Sequence, residues 1–374
     1  MPVVAAPLDR CGNFVHSPRV LWLPGLNRFW TMRHQEIPPY GATMGSPPEY
    51  VLLGDIGATN ARLALLSKGL LGSIEWFTVA EFARFADAID AFLERCCRHV
   101  SVPEALLAVA GPVAADRCVL TNCPWTIDAP ELRAALGFAR VHILNDFEAI
   151  ARSLPQLTPG DLYPLGGGAA VPGQPMVVLG PGTGLGVACC VPAWPDAVVI
   201  ASEGGHATMA PTSARENAIL DRLRGEFGHV SAERVLSGPG LENLYRAVVV
   251  LDGIDAVPRD AAQITKAALD GDCAASKTAL ELFCAMLGTI AGNAALTFGA
   301  RGGVYIAGGI APRLTDFMAR SEFRSRFERK GRLRTYLASV PTSVIVHPAA
   351  TFLGLMSIAK RASLAASQET SRVG

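Results

Sequence analysis

A short unit of strand, glycine turn and strand occurs twice in this chain, and the repetition limits the possible folds more than any other feature. The first copy reads VLLGDIGAT at residues 51–59, and the second reads VVLGPGTGLG at residues 177–186. Gly54 in the first copy and Gly180 in the second are 126 positions apart. One such turn in each half predicts a duplicated architecture, with two related domains on either side of a cleft.

Strand patterns alternate with helix patterns along the rest of the chain. Short apolar runs predict strands at residues 51–53, 61–66, 74–79, 106–110, 141–144, 176–179, 185–190, 198–200, 304–307 and 344–346. Apolar residues at helical spacing predict helices at residues 81–97, 129–136, 214–227, 241–249, 261–270, 275–298 and 350–362. This alternation is typical of the α/β class.

The first 48 residues differ from the remainder. They contain eight prolines and little periodicity, and X-Pro steps disfavour helices while the missing N–H groups disfavour central strands. We interpret residues 1–48 as a disordered tail, part of which could dock on the body. Met44 stands just before the first predicted strand, so the functional chain could start there.

Charge and cysteine content exclude several classes of function. The 374 residues include 33 basic and 33 acidic side chains, a balance that gives no overall field for nucleic acid or an anionic membrane. A basic run at residues 320–334 is interpreted as a solvated surface rather than a DNA contact. Nine cysteines without a C-x-x-C motif indicate reduced thiols rather than a disulfide framework or a zinc site.

No stretch predicts membrane insertion or secretion. The first apolar patch, residues 20–23, ends at Pro24 and is too short for a signal peptide. Residues 282–300 are nearly long enough to span a bilayer, but polar residues and three glycines favour a buried helix. We therefore expect a cytoplasmic protein with a small substrate.

The two glycine turns predict a phosphate clamp. Only glycine lets a chain turn tightly while its backbone N–H groups approach phosphate oxygens, and Thr59 and Thr183 add hydroxyl donors at matching positions. Neither turn fits a Walker P-loop or a dinucleotide motif, because both run into strands instead of helices. Either turn alone could be an ordinary hairpin; it is the pair that favours phosphate binding.

Asp146 is the candidate catalytic group. It follows the predicted strand at residues 141–144, and α/β sheets place ligand chemistry at the carboxyl ends of their strands. Phosphoryl transfer to an alcohol needs a group that orients the hydroxyl and accepts its proton. Asp146 could do this, with Asn145 contacting a neighbouring hydroxyl; the alternative is that Asp146 only caps the next helix.

A third cluster suggests recognition of a polyol. Glu203, His206 and Glu233 carry the carboxylates and the imidazole that bind sugar hydroxyls, although His206 could be a core histidine and Glu203 a surface residue. Gly308 and Gly309 follow a predicted strand and could let an adenine or ribose lie against the backbone.

In their order along the chain, these motifs resemble those of the bacterial glucokinases, within the superfamily of sugar kinases, actin and heat-shock ATPases. The resemblance covers residues 50–362 and rests on LGDIGATNAR (53–62), AGPV (110–113), LNDF (144–147), GPGTGLG (180–186), SEGGH (202–206), HVSAERVLSGPG (229–240) and AGGI (307–310). It implies a duplicated ribonuclease-H-like fold, as in the actin-like ATPases, with two domains flanking a cleft.

The resemblance also implies roles for particular residues. Asp146 would be the catalytic base that receives the 6-hydroxyl proton of glucose. Asn145, Glu203, His206 and Glu233 would bind glucose. ATP would contact Gly54, Asp55, Ile56, Gly57, Ala58, Thr59, Gly182, Thr183, Gly184, Gly308 and Gly309. Asp55 would reach the Mg²⁺ of Mg-ATP through water, and no residue would bind the metal directly.

The resemblance further implies a domain division and an assembly. Residues 49–156 together with 347–366 would form a small α/β domain, residues 157–346 a large one, and two chains would pair as a homodimer. Two departures stand out. Ala58 replaces a usual glycine, which would be unfavourable if that position required positive φ. The cysteine-rich zinc motif of the related repressor and kinase group does not follow His206, which favours the zinc-free branch.

Three other functions are compatible with parts of this pattern. The substrate could be another hexose, such as fructose or mannose. A sugar-sensing transcription regulator of the same superfamily would need a helix-turn-helix, which the proline-broken residues 1–48 do not readily supply. An ATPase without a sugar site would leave Glu203, His206 and Glu233 unexplained.

Overall fold

The computed structural model describes residues 50–98, 100–120, 123–193 and 197–360. The expected tail at residues 1–48 and the end of the last predicted helix, residues 361–362, lie outside the described residues. The strands are β1 (Tyr50–Ile56), β2 (Asn60–Ser67), β3 (Leu70–Leu71), β4 (Glu75–Thr78), β5 (Glu104–Val109), β6 (Arg117–Val119), β7 (Thr126–Asp128), β8 (Arg140–Asn145), β9 (Leu162–Gly166), β10 (Met176–Pro181), β11 (Leu185–Val191), β12 (Val198–Ser202), β13 (Gly303–Ile306) and β14 (Thr342–Ile345).

The helices follow the predicted pattern, with three short additions near the carboxyl end. They are α1 (Phe85–Cys96), α2 (Ala129–Leu136), α3 (Asp146–Ser153), α4 (Ala214–Phe227), α5 (Gly238–Leu251), α6 (Ala261–Asp270), α7 (Ala274–Phe298), α8 (Thr315–Arg320), α9 (Phe323–Glu328), α10 (Arg334–Ser339) and α11 (Ala350–Lys360). Serine or aspartate side chains cap three of the larger helices: Ser213 caps α4, Ser237 caps α5 and Asp260 caps α6.

Two six-stranded sheets have the same core topology. In the first, the order is β3-β2-β1-β5-β8 with β4 also paired to β2; in the second it is β12-β11-β10-β13-β14-β9. The first sheet contains an antiparallel hairpin, β1–β2, and two strands parallel to β1, which are β5 and β8. The second repeats this arrangement with β10–β11, β13 and β14. The duplicated α/β architecture expected from the two glycine turns is therefore confirmed.

The chain passes between the two sheets twice. First, α3 leaves β8 of the first sheet, and Phe147 and Ile150 pack with Val178 and Ala188 on the second sheet. Second, residues 346–349 lead from β14 to α11, which packs on the first sheet. The two connections are joined, since the Val346 N–H donates a 2.8 Å hydrogen bond to the Asp161 carbonyl.

The helices α3 and α11 meet at a close backbone contact. A Cβ atom placed on Gly354 in α11 would lie 1.8 Å from the carbonyl oxygen of Ala149 in α3. Any side chain at residue 354 would thus push the two helices apart. On the opposite faces of the sheets, α1 and α2 cover the first sheet and α4 to α7 cover the second, so apolar side chains are buried on both sides of each sheet.

The long apolar stretch forms a core helix. The helix α7 has 25 residues and the length and composition of a membrane span, but 67% of its most apolar window is buried inside the protein. Gly288 and Gly292 allow α9 to approach closely, because a Cβ at either position would come within 2.5 Å of the carbonyl oxygen of Phe323 or Phe327. The expectation of a buried helix is confirmed.

Several predicted boundaries and one surface interpretation were wrong. The first predicted helix begins at Phe85 instead of residue 81, because residues 79–81 form a separate 3₁₀ turn. The short strands β3, β6, β7 and β9 and the helices α8 to α10 were not predicted. The basic run at residues 320–334 is not simply a solvated surface: Arg326 is buried against Glu216 at 2.7 Å, and Arg324 donates to four backbone carbonyls.

Candidate active site

The first glycine turn and Asp146 lie at the same edge of the first sheet. Ile56, Val109 and Asn145 are register partners at the carboxyl ends of β1, β5 and β8. The turn at residues 57–59 therefore stands two strands away from Asp146. Gly57 closes this turn, with its N–H donating to the Asn60 carbonyl at 3.0 Å.

The methyl group of Ala58 is compatible with the first turn. The non-glycine residues described with positive φ are Lys68, Ala115 and Asp116, so Ala58 is not in the left-handed region and the departure from glycine causes no backbone strain there. Within the described part of the chain, the backbone N–H groups of Ala58 and Thr59 donate to no atom. Thr59 is also exposed, which leaves its hydroxyl available to a ligand.

The second glycine turn is held by the amino end of α5. The Gly182 N–H donates to the Gly184 carbonyl at 2.8 Å, and the Gly182 carbonyl accepts from the Gly238 N–H at 2.8 Å. The helix α5 thus begins beside this turn, where its dipole favours an anion. A Cβ on Gly182 would meet open space, and Thr183 is exposed, so the turn presents backbone and hydroxyl groups to its surroundings.

Gly308 lies against the second turn and has to be glycine. Its φ is +85°, and a Cβ there would lie 2.5 Å from the Pro181 carbonyl oxygen. By contrast, Gly309 faces open space. The structure therefore brings the predicted pair Gly308 and Gly309 beside the second turn, where a nucleotide could lie flat on the backbone.

Asn145, rather than Asp146, caps α3. The Asn145 Oδ1 accepts hydrogen bonds from the N–H groups of Phe147 at 2.9 Å and Glu148 at 3.3 Å, and its Nδ2 donates to the Gly111 carbonyl at 3.2 Å. The alternative that Asp146 serves as the helix cap is therefore wrong.

Asp146 is the first residue of α3 and its carboxyl group is strongly perturbed. One carboxylate oxygen accepts from the Phe147 N–H at 2.9 Å. Burial, and after it the negative charge of Asp55, raise the pKa of Asp146 to about 7, while hydrogen bonds from backbone N–H groups and Asn145 oppose the rise. A carboxyl group with this pKa can accept a proton near neutral pH.

Asp55 is paired within the protein. Arg62 stands directly opposite Asp55 in the β1–β2 hairpin, and its Nε donates to the Asp55 Oδ2 at 3.0 Å while Nη2 contacts the same oxygen. No hydrogen bond to the Asp55 Oδ1 occurs among the described residues. Sequence reasoning did not assign Arg62 a role, although the LGDIGATNAR motif ends on it.

Phe147 connects Asp146 to the second sheet. A Cβ on Gly186 would lie 1.9 Å from a ring carbon of Phe147, and a Cβ on Gly180 would lie 2.7 Å from another. Both glycines therefore make room for this ring. No sequence pattern predicted that Phe147, next to the candidate base, packs against the strands that bear the second turn.

Glu203, His206 and Glu233 come together beside the second turn. The His206 Nε2 is 3.8 Å from a Glu203 carboxylate oxygen, and its Nδ1 is 4.0 Å from one of Glu233. The side chains of His206 and Glu203 are 62% and 71% exposed, so the reading of His206 as a core histidine is wrong. Glu233 also accepts from the Leu185 N–H at 3.0 Å, which places it against the second turn.

These features define a class of protein, an α/β enzyme with two glycine turns, a carboxyl group with a pKa of about 7 and a polar cluster of Glu203, His206 and Glu233. Comparison with known proteins is more specific. A family model described as glucokinase matches residues 52–362. The chain belongs to the glucokinase family. This membership confirms the prediction of an enzyme of the kinase class.

Individual relatives support the same family. A glucokinase of Paramagnetospirillum magneticum is 47% identical over 312 residues, covering 83% of this chain and 97% of the relative. The crystal structure of a glucokinase from an Antarctic psychrotroph is 36% identical, with a TM-score of 0.73, covering 82% of this chain and 97% of that one. A ROK-family glucokinase of Streptomyces griseus, solved with glucose and AMPPNP, has a TM-score of 0.57 at 18% identity over 83% of this chain and 99% of its own, a similarity of fold alone.

Proposed function

We propose that this chain transfers the terminal phosphoryl group of ATP to the 6-hydroxyl of D-glucose, with Asp146 as the general base. The observation that carries the proposal is the position of Asp146. Its carboxyl group, with a pKa of about 7, stands at the sheet edge that bears the first turn, and its neighbour Phe147 packs on the strands of the second turn.

The polar cluster would hold the sugar. Glu233, His206 and Glu203 offer carboxylate oxygens and an imidazole to the hydroxyls of glucose. The Asn145 amide, beside Asp146, would add a contact to a neighbouring hydroxyl. Fixing the sugar in this way leaves the 6-hydroxyl to approach Asp146, which accepts its proton as the oxygen attacks. The Leu185 N–H keeps Glu233 oriented when its other oxygen binds the sugar.

The two turns fit a nucleotide triphosphate. When bound, Mg-ATP supplies the phosphoryl group and the positive charge of the metal. The N–H groups of Ala58 and Thr59 donate to no atom among the described residues, and they would hold phosphate oxygens together with the hydroxyls of Thr59 and Thr183 and the amino end of α5. Gly308 and Gly309 would receive the adenosine. Asp55 would hold Mg²⁺ through water with the oxygen that Arg62 does not occupy.

The proposed division of the chain into a small domain (residues 49–156 and 347–366) and a large domain (residues 157–346) fits the two connections between the sheets. Both connections would act as hinges, and closure around glucose would exclude water from the phosphoryl group. We further propose a cytoplasmic location, consistent with eight cysteines that form no disulfide among the described residues. We also propose that two chains pair as a homodimer.

A coupled assay with ATP and a panel of hexoses tests the proposal. Glucose should be phosphorylated with a kcat/KM at least about tenfold above those of fructose and mannose, since a site built on hydrogen bonds discriminates among hydroxyl arrangements. ATP without sugar should be hydrolysed far more slowly. Faster phosphorylation of another hexose would reassign the substrate, and sugar-independent ATP turnover would overturn the kinase proposal.

A paired comparison of variants tests the sugar cluster. Glu233→Gln should raise the KM for glucose about tenfold or more and leave the KM for ATP nearly unchanged, because hydrogen bonds to a charged group are lost. Glu226→Gln is the matched control, since Glu226 is an exposed carboxylate that pairs with Arg246 at 3.1 Å, outside the proposed cluster. An equal effect of the two substitutions would remove Glu233 from the site.

A further inference from the structure

Arg62 contacts Asp55 of β1, the Pro348 carbonyl between β14 and α11, and the rings of Trp76 and Phe352. It stands on β2, opposite Asp55 of β1, and its Nε and Nη2 both bind the Asp55 Oδ2. Only 19% of the Arg62 side chain and 17% of the Asp55 side chain are exposed. The contact is therefore a partly desolvated, two-donor ion pair, which fixes the carboxylate more firmly than a surface pair does.

The third donor of the guanidinium reaches the second connection between the sheets. The Arg62 Nη1 donates a 2.8 Å hydrogen bond to the Pro348 carbonyl, in the segment that joins β14 to α11. The guanidinium carbon also lies 5.3 Å from the ring centroid of Trp76 and 5.5 Å from that of Phe352, the latter in α11. The hydrogen bond to Pro348 and the two aromatic rings therefore restrict the guanidinium further.

This arrangement leaves Asp55 with one oxygen bound by Arg62 and one that accepts no hydrogen bond from the described residues. Because both nitrogen donors bind Oδ2, the carboxylate cannot rotate without breaking two charge-assisted hydrogen bonds. Asp55 is also the charged neighbour that acts on Asp146. The orientation of the Asp55 carboxylate therefore affects both the proposed Mg-ATP site and the candidate base Asp146.

We propose that Arg62 is a positioning residue for phosphoryl transfer: it holds Asp55 so that one oxygen can receive a water ligand of the Mg²⁺ in Mg-ATP, and it fastens this carboxylate to the connection at Pro348. The proposal rests on the role assigned to Asp55 in the proposed function. It assigns no contact between Arg62 and either substrate.

Binding of a non-hydrolysable nucleotide gives a readout that does not depend on turnover. Isothermal titration calorimetry with AMPPNP, with and without Mg²⁺, is carried out on the full chain and on Arg62→Gln and Arg62→Lys. Arg62→Gln should weaken binding of Mg-AMPPNP about tenfold and change binding of metal-free AMPPNP and of glucose less than about twofold, as expected for loss of charged hydrogen bonds that act through Asp55. Arg62→Lys keeps the charge but not the planar guanidinium. It should weaken binding of Mg-AMPPNP, but by less than Arg62→Gln does.

The chain offers a matched control on α1, whose Arg95 contacts β4 of the same sheet. Arg95 pairs with Glu75 at 2.8 Å and stacks over Phe77 at 5.0 Å, so Arg95→Gln removes the same types of contact away from Asp55. It should leave Mg-AMPPNP binding unchanged. If circular dichroism shows that Arg62→Gln does not fold, AMPPNP binding with and without Mg²⁺ is compared in Arg62→Lys and Asp55→Asn instead.

A double-mutant cycle asks whether Arg62 acts through Asp55. In the Asp55→Asn background, Arg62→Gln should change the Kd of Mg-AMPPNP less than about twofold, because the shared interaction is already lost. Independent effects of the two substitutions, equal weakening of all three ligands, or no weakening by Arg62→Gln would each overturn the proposal. Failure of the unaltered chain to phosphorylate glucose would instead overturn the proposed function, so the two failures are distinguishable.

Discussion

Asp146 is subject to opposing electrostatic influences, and their balance makes specific kinetic predictions at the scale of a residue. Burial and Asp55 favour the neutral carboxyl group, whereas the N–H groups at the start of α3 favour the carboxylate. Asp146→Asn keeps the size of the side chain and removes the base. Its kcat should fall about 10²–10⁴-fold while glucose still binds, measured by coupled assay and calorimetry. Near-normal turnover with glucose bound would exclude Asp146 as the base.

The same substitution should not destabilise the fold at alkaline pH. The folded pKa of Asp146, about 7, is above its ordinary value of 3.8, so the folded state binds more protons than the unfolded state between about pH 4 and pH 7. Asp146 therefore lowers the free energy of unfolding as pH rises through this window. Asn does not ionise, so the substitution removes this loss of stability. Thermal unfolding at pH 8 should therefore give a Tm for Asp146→Asn equal to or above that of the unaltered chain. A clearly lower Tm would contradict this balance.

The acid side of the pH profile provides a second prediction. Asp146 accepts a proton only when it is ionised, so kcat/KM for glucose should fall about tenfold per pH unit below a pKa of about 7. Asp55→Asn removes the like charge and should move this limb to lower pH, whatever its effect on the maximal rate. Asp87→Asn, at an exposed pair with Arg84, is the control and should not move it. An unchanged limb in Asp55→Asn would disprove the coupling.

At the scale of the element, the contact between α3 and α11 is the most sensitive point. Gly354→Ala would place a Cβ 1.8 Å from the Ala149 carbonyl oxygen, so one helix has to shift. The free energy of unfolding should drop by about 1–3 kcal/mol, the usual cost of overpacking, and kcat/KM should fall because α3 begins with Asp146. Chemical denaturation and the coupled assay measure the two effects.

Gly225 in α4 supplies the matched control for this contact. It lies in a helix as Gly354 does, but it is exposed and a Cβ there meets nothing within 4 Å. Gly225→Ala should therefore stabilise the fold by about 0.5–1 kcal/mol, since alanine loses less backbone entropy in a helix. If Gly354→Ala stabilised the fold as Gly225→Ala does, α3 and α11 would be able to move apart at Gly354 without cost, which would contradict the prediction.

The same elements show what a sequence can reveal about this fold and site. Apolar periodicity predicted most strands of both sheets, and the repeated turn predicted their duplication, because these patterns depend on neighbouring residues and on burial. The short strands β6 and β7 were missed, since three residues carry too little pattern. The roles of Arg62 and Phe147 were missed for another reason: their partners, Pro348 for one and Gly180 and Gly186 for the other, are distant in sequence, and only the folded chain brings them together.

At the scale of the whole molecule, duplication explains why the candidate site lies between the sheets. Each half contributes one hairpin turn at a sheet edge, so the proposed nucleotide and sugar sites need both halves. Linking the halves by α3 and by residues 346–349 also puts the candidate base and the Arg62 contact at the two connections. Movement at these connections would therefore alter the site itself, which suits an enzyme that must close before it transfers a phosphoryl group.

The family match and the described strands and helices all lie beyond the first 48 residues. The family match begins at residue 52, and the first strand of the first sheet begins at Tyr50. A chain starting at Met44 should therefore keep kcat, the KM for glucose and the Tm of the full chain, each within experimental error. The coupled assay and thermal unfolding test this, and a chain starting at Ala58, which lacks β1, is the control that should fail to fold. Loss of activity or of several degrees in Tm on starting at Met44 would show that the first 43 residues contribute to the enzyme.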